Sequence, residues 1–204
     1  MSAQEFLPER LSLTSLREAA MHCRGCPLWA PATQTVFGEG LQRSRAMLVG
    51  EVPGDREDRE GHPFVGPAGR ELDKALELAG IVRDDVYVTN VVKHFKFEER
   101  GKRRIHQTPK KSEIDACLPW FRAELEVVKP QLVVILGATA GKALMGPQFR
   151  ITRQRGIPLE SELAPAVIAT VHPSAILRAR DDEARMAERE AFTNDLRAAA
   201  GLMG

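Results

Sequence analysis

The chain reads as an α/β protein with three layers, α/β/α, around a central, mainly parallel four-stranded sheet. Three observations predict this. Four short apolar runs, 46–49, 86–89, 132–136 and 167–171, stop at Gly50, Asn90, Gly137 and His172, as buried strands bounded by turn residues do. Segments of helical period lie between them. Strand alternating with helix joins successive strands in parallel and lays helices on both faces of the sheet.

Taken in order, Leu7 to Cys23 carries Leu11, Leu13, Leu16, Ala19 and Ala20 at helical spacing. This predicts a first helix with Thr14 or Ser15 as its cap, ended by Pro27 and Pro31. Residues 33–40 (TQTVFGEG) read as a loop or short edge strand. After strand 46–49 comes a loop rich in Pro, Gly and acid, in which Phe64 is stranded among turn residues. A helix then runs from Arg70 to Ala79, closed by Gly80. Strand 86–89 gives way to residues 93–111 (KHFKFEERGKRRIHQTPKK), polar, basic and without period, hence a loop. Lys111–Val128 is helical and closed by Pro130, strand 132–136 leads into a helix over 138–144, and an Arg-rich helix from Asp182 to Leu202 follows the fourth strand.

The 204 residues suit one compact domain, 1–204, and 43% hydrophobic content can fill its core. With 29 basic against 28 acidic residues there is no global basic field, so a nucleic-acid partner must be argued from local clustering. The N-terminus lacks the apolar stretch of a signal peptide and no run reaches membrane-spanning length. A soluble, cytoplasmic protein with no membrane partner is expected, and nothing demands more than a monomer.

In a parallel sheet all carboxyl ends lie on one edge, where open α/β sheets place their ligands. Glu51, Asn90, Gly137 and His172 should therefore converge although far apart in sequence. Glu51 is a candidate base or cation stabiliser and Asn90 can read a planar amide edge; His172 can donate to a developing anion. Phe64 can stack on an aromatic ring. Each also has a plain structural reading, as cap, turn, loop or core residue. Eight cations between Lys93 and Lys111 face only Glu98 and Glu99, a patch suited to phosphate contacts. His106 sits inside it, where neighbouring cations should keep its imidazole neutral; on residue chemistry alone it contacts phosphate. Cys23-Arg24-Gly25-Cys26 can aim two thiolates at one metal or cluster, with a redox pair and chance spacing as rival readings, and Cys117 stands alone. Gly137–Lys142 imitates a phosphate-binding loop, but its glycines are too close and Ala143 replaces the metal-binding hydroxyl, so it reads as a tight turn.

Several stretches together resemble the iron–sulfur uracil-DNA glycosylases of family 4: Gly50-Glu51-Val52-Pro53-Gly54, Gly61–Gly66, Val88–Lys93, His172-Pro173-Ser174, Cys23–Leu28 and Ala32–Gly40. The insertion Gly101–Pro109, with His94-Phe95-Lys96-Phe97, resembles the X-type members, which excise uracil and stay covalently bonded through the histidine of this loop. Val52 departs from them, since they usually carry Gln there, and any polar role of that side chain is absent. The resemblance implies the uracil-DNA glycosylase fold, a cluster-binding segment (about 10–40) and an inserted basic loop (about 98–111). It implies a 4Fe-4S cluster on Cys23, Cys26, His94 and Cys117, which sequence alone does not separate from zinc. It also implies a DNA-repair role on uracil-containing DNA, single strands preferred.

By the same resemblance, Gly50, Phe64, Asn90 and His172 hold the extruded uracil, and Lys93, Arg103, Arg104 and Ser174 contact the DNA. Asn90 would reject cytosine by leaving a buried amide unpaired, at roughly 1–3 kcal/mol. Glu51, His106 and His172 are the expected catalytic set, with Glu51 steadying an oxocarbenium-like sugar. His106 would compete with water for that carbon. Two alternatives remain open at this point: an ordinary multiple-turnover glycosylase, and a metal-stapled nucleic-acid binding module without catalysis.

Overall fold

A computed structural model describes residues 1–203. Helix α1 spans Leu13–Ala20, and β1 (Ala46–Gly50) follows the cysteine motif. Two helices come next, α2 (Asp55–Glu60) and α3 (Pro67–Leu78). Strand β2 (Val86–Asn90) leads to β3 (Phe97–Arg100) and β4 (Arg103–His106). Then come α4 (Lys111–Val128), β5 (Leu132–Leu136), α5 (Ala138–Met145) and α6 (Ile151–Gln154). Strand β6 (Ala166–Thr170), α7 (Ser174–Leu177) and α8 (Asp182–Gly201) complete the order.

The central sheet has four strands in the order β2-β1-β5-β6, every pair parallel, as expected. The chain leaves β1 to one side for β2 and returns to its other side for β5, so the strand order reverses at β1. That reversal opens the crevice where such sheets bind ligands. Alternate strand residues point to opposite layers. Met47, Val49, Tyr87, Val133 and Ile135 pack with Leu16 of α1 and with Trp120 and Phe121 of α4. Leu48, Val88, Val134 and Ile168 pack with Leu72 and Leu76 of α3 and with Phe192 and Leu196 of α8. Burial on both faces explains why the strands read as unbroken apolar runs. Each fully buried Leu or Val there contributes roughly 1.5–3 kcal/mol.

Three local expectations are corrected. The cap of α1 is Ser12, whose hydroxyl accepts from the Ser15 amide, rather than Thr14 or Ser15. Helix α3 begins at Pro67, three residues before Arg70, because proline suits a first helical turn. The polar segment 93–111 is not irregular: β3 and β4 form an antiparallel hairpin whose turn is Gly101-Lys102, with Gly101 at φ 60°. Helix α2, whose DREDRE sequence has no apolar stripe, is supported by the i,i+4 pairs Asp55–Arg59 and Arg56–Glu60. Among the described residues no helix is long and apolar enough to cross a membrane.

Candidate active site

Register places the site. Gly50 and Asn90 are direct partners at the carboxyl ends of β1 and β2. His172 follows two residues after Thr170, the last residue of β6. A cleft of about 580 Å³ opens over these ends, lined among others by Val52, Glu57, Phe64, Asn90, His106 and His172. A larger depression, about 850 Å³, lies around Arg17, Glu39, His62 and Arg83. It holds none of the strand-end residues, so the smaller cleft is the candidate site.

Gly50 is required by close approach. A Cβ there would stand 2.3 Å from Asn90 Oδ1 and 2.9 Å from Phe64 Cζ, so the missing side chain is the space in which amide and ring meet. Phe64 lies at φ 58°, which non-glycine residues seldom adopt. Its loop is fastened where the Gly66 amide donates to Glu57 Oε1 at 2.8 Å. Such held strain gathers at functional sites. The Phe64 and His172 rings lie 6.0 Å apart at 28°. Glu51 is half-buried and not among the lining residues; its Oε1 is buried without a hydrogen-bond partner among the described residues.

His172 has its tautomer set by its neighbours. The Ser174 amide donates to Nδ1 at 3.2 Å, and the Ser174 hydroxyl lies 2.8 Å from the same nitrogen. Nδ1 therefore accepts, and in the neutral ring Nε2 carries the proton. Burial chiefly, helped by the charges of Arg178 and His106, pushes its pKa down to about 4. His172 is thus a neutral N–H donor at physiological pH. Ser174, expected to touch DNA, has its hydroxyl and amide engaged by His172 and by Arg178 Nη1 at 2.8 Å. Ser174 is half-buried at the cleft wall, where its hydroxyl also orients the His172 ring.

The hairpin brings His106 to the same cleft. Residues Phe97, Glu99, Arg104 and His106 share one of its faces by register. On that face Arg104 is clasped by α2, Nη1 donating to Asp58 Oδ2 at 2.7 Å and Nε to Asp55. Phe95 lies 6.1 Å from the His106 ring. By accessible surface His106 is an exposed residue, yet its ring is crowded on the cleft side, and this crowding lowers its pKa. Glu51 and Glu57 oppose the lowering and Arg178 adds to it, so the cation acting on this ring comes from the end of α7 rather than from the flanking Arg103 and Arg104.

The basic patch shrinks once partners are seen. Lys93 is wholly buried, with Nζ donating to Glu124 Oε2 and Thr89 Oγ1 at 2.6 Å and to the Asn90 carbonyl at 2.8 Å. It cannot contact DNA, and that expectation is corrected. Arg104 is corrected likewise, since Asp55 and Asp58 hold its guanidinium. Lys96 pairs with Glu113, Arg100 with Glu98 and Lys111 with Asp115. Among the described residues Lys102, Arg103 and Lys110 have no such ion pair. Sequence reasoning missed Leu177 and Arg178, which also line the cleft; their position just past His172-Pro173-Ser174 was the available signal.

The three cysteines are free and buried. Trp120 Nε1 donates to Cys23 Sγ at 3.2 Å and the Lys93 amide to Cys117 Sγ at 3.3 Å. Burial raises the pKa of the Cys26 thiol and pushes that of Cys117 up to about 12, so these sulfurs become thiolates only against a strong cation. His94 is 4% exposed, and its Nδ1 is buried with no hydrogen-bond partner among the described residues. Among the described residues no three such donors converge tightly enough for one metal ion. The orphaned Nδ1 of His94 and the three unpaired thiols are the donor types a metal centre uses.

A family model described as the uracil DNA glycosylase superfamily matches residues 37–197. The Type-4 uracil-DNA glycosylase of Thermotoga maritima is 41% identical over 169 residues, covering 82% of this chain and 84% of that one. That of Sulfurisphaera tokodaii is 37% identical over 174 residues, 81% of this chain and 76% of its own. That of Archaeoglobus fulgidus is 34% identical over 200 residues, 95% and 94%. With the family match extending from Phe37 across the whole sheet and into α8, the chain belongs to the uracil DNA glycosylase superfamily.

Proposed function

We propose that this protein excises uracil from DNA and that His106 then bonds to the sugar carbon left behind. One observation carries the excision: Asn90, Phe64 and His172, from three separate parts of the chain, line a single cleft at the strand ends. The relatives, named as uracil-DNA glycosylases, support the same activity.

In this reading the flipped base stacks on Phe64. The Asn90 amide pairs with uracil O4 and N3–H, and His172 Nε2–H donates to O2 as the base leaves with the bonding electrons. A donor so placed contributes about 3–4 kcal/mol to the transition state. Glu51 steadies the cationic sugar. The N1–C1′ bond breaks, uracil departs as an anion and is protonated by solvent, and a neutral imidazole nitrogen of His106 forms the new bond to C1′. The ring then loses its N–H proton to water. Lowered basicity supports His106 as nucleophile, and Arg104, clasped by α2 on the same hairpin face, supports its placement. An ordinary multiple-turnover enzyme fits at least as well: its support is the Type-4 name of the relatives and the exposure of His106. Water then takes the carbon and His106 touches phosphate.

Cys23, Cys26, His94 and Cys117 would hold a 4Fe-4S cluster, with the unpartnered Nδ1 of His94 as the supporting observation. Bound there, such a cluster supplies a covalent tie between the N-terminal segment, the end of β2 and α4, and so supplies folding energy rather than a reaction step. Arg103 on the outer hairpin face and Ser174 at the cleft wall are the remaining DNA contacts, and single-stranded substrate, a monomer, one domain over 1–204 and a cytoplasmic setting complete the proposal. The test is release of free uracil, read by chromatography, from a uracil-containing single-stranded oligonucleotide. Release with an alkali-labile or protein-linked strand is expected; no release overturns the excision.

A further inference from the structure

The hydroxyl of Thr35 has one proton and two neighbours. Its Oγ1 lies 2.9 Å from the Ala20 carbonyl and 2.9 Å from His94 Nε2. A carbonyl oxygen can only accept, so the proton points at Ala20. Toward His94 the hydroxyl then presents a lone pair, and an unprotonated Nε2 would oppose it with another. Nε2 must carry the ring proton, which leaves Nδ1 bare. Nδ1 is the buried atom with no hydrogen-bond partner among the described residues. The other tautomer is doubly penalised, with lone pair against lone pair at Nε2 and an unmet N–H donor in the interior.

We infer that Thr35 is a positioning residue for the metal centre: it selects the Nε2–H form of His94 and so presents Nδ1, free of a proton, to cluster iron. The inference rests on the cluster reading above. Ala20 closes α1 and its carbonyl also accepts from the Cys23 amide at 3.1 Å. One threonine thus joins the helix end, the cysteine motif and the histidine that follows β2. Partners that fix a ligand's orientation and tautomer change metal affinity by about 10–100-fold.

The test uses the full chain purified without oxygen, as wild type, Thr35→Val, Thr35→Ser, His94→Cys and the double variant Thr35→Val/His94→Cys. Iron per chain and the rate at which a ferrous chelator bleaches the cluster absorption are measured. Thr35→Val should bleach about tenfold faster or more, and Thr35→Ser should match wild type. In the His94→Cys background Thr35→Val should have no effect, since a thiolate has no tautomer to select. Equal acceleration in both backgrounds, or loss of the folded protein in both, assigns Thr35 a packing role and overturns the inference. So does an unchanged rate in Thr35→Val. Wild-type protein that holds zinc or no metal brings down the cluster reading first, and the inference with it.

Discussion

Replacing Lys93 by methionine separates two roles for that cation. The ammonium is fully buried and its three protons meet Glu124, Thr89 and the Asn90 carbonyl. Glu124 is equally buried and also accepts from Tyr87 Oη at 3.0 Å and from the Gly38 amide at 3.1 Å. Removing one partner of a buried pair strands the other charge, at about 3–5 kcal/mol. In a chain of this length each kcal/mol moves Tm by about 2–4 °C, so Lys93→Met should lower Tm by about 6–20 °C. Adding Glu124→Gln should recover part of the loss, since a neutral amide still accepts from Tyr87 but needs no counter-charge. Calorimetry of the two variants reads this, and titration of an uncleavable oligonucleotide against salt reads the other role. An unchanged Tm, with the salt dependence of binding weakened by about one phosphate contact, would refute the buried role.

The other expectations concern the cleft. Gly50→Ala puts a methyl within 2.3 Å of Asn90 Oδ1, so uracil excision should fall at least about tenfold and Tm by about 2–12 °C, the cost of overpacking being about 1–3 kcal/mol; full activity in the folded variant would mean that Asn90 does not work from its present position. Asn90→Asp should lower kcat/KM for uracil by about 5–150-fold, the equivalent of roughly 1–3 kcal/mol for a mispaired buried edge; single-turnover rates check it. His106 and His172 both titrate below the ordinary histidine value of 6.5. Capture should therefore be flat at alkaline pH and decline in acid, below the ordinary histidine midpoint, as His106 gains a proton, a decline instead on raising pH above about 7 contradicting a neutral nucleophile. The linkage has the same sign. The unfolded chain binds protons at these sites first, so stability present above pH 6.5 is lost as pH falls toward about 4 for His172, which urea midpoints against pH would follow.

Sequence revealed the sheet because its strands are buried on both faces, so their apolar runs are unbroken and their ends sharp. Once they were parallel, Gly50 beside Asn90 followed from direction alone. The hairpin was hidden because its inner face sets a single apolar residue, Phe97, among Glu99, Arg104 and His106 rather than an apolar alternation, and only Gly101-Lys102 marked its turn. Charge counting misjudged the basic patch for a related reason. Arg104 finds Asp55 and Asp58 nearly fifty residues earlier, and Lys93 finds Glu124 on α4. Ion pairs between distant segments leave no local pattern. The tautomers of His94 and His172 are equally invisible in sequence, since each depends on which hydroxyl or amide the fold delivers to one nitrogen.

The central claim is that a hairpin imidazole competes with water for the sugar carbon, and a denaturing gel measures it most directly. Wild type and His106→Ser are each incubated with labelled single-stranded uracil oligonucleotide and heated in detergent before loading. The account predicts a heat-stable band of protein plus DNA for the wild type, and for His106→Ser free DNA carrying an abasic site. A wild-type lane with no shifted band, or a shifted band that survives His106→Ser, contradicts it.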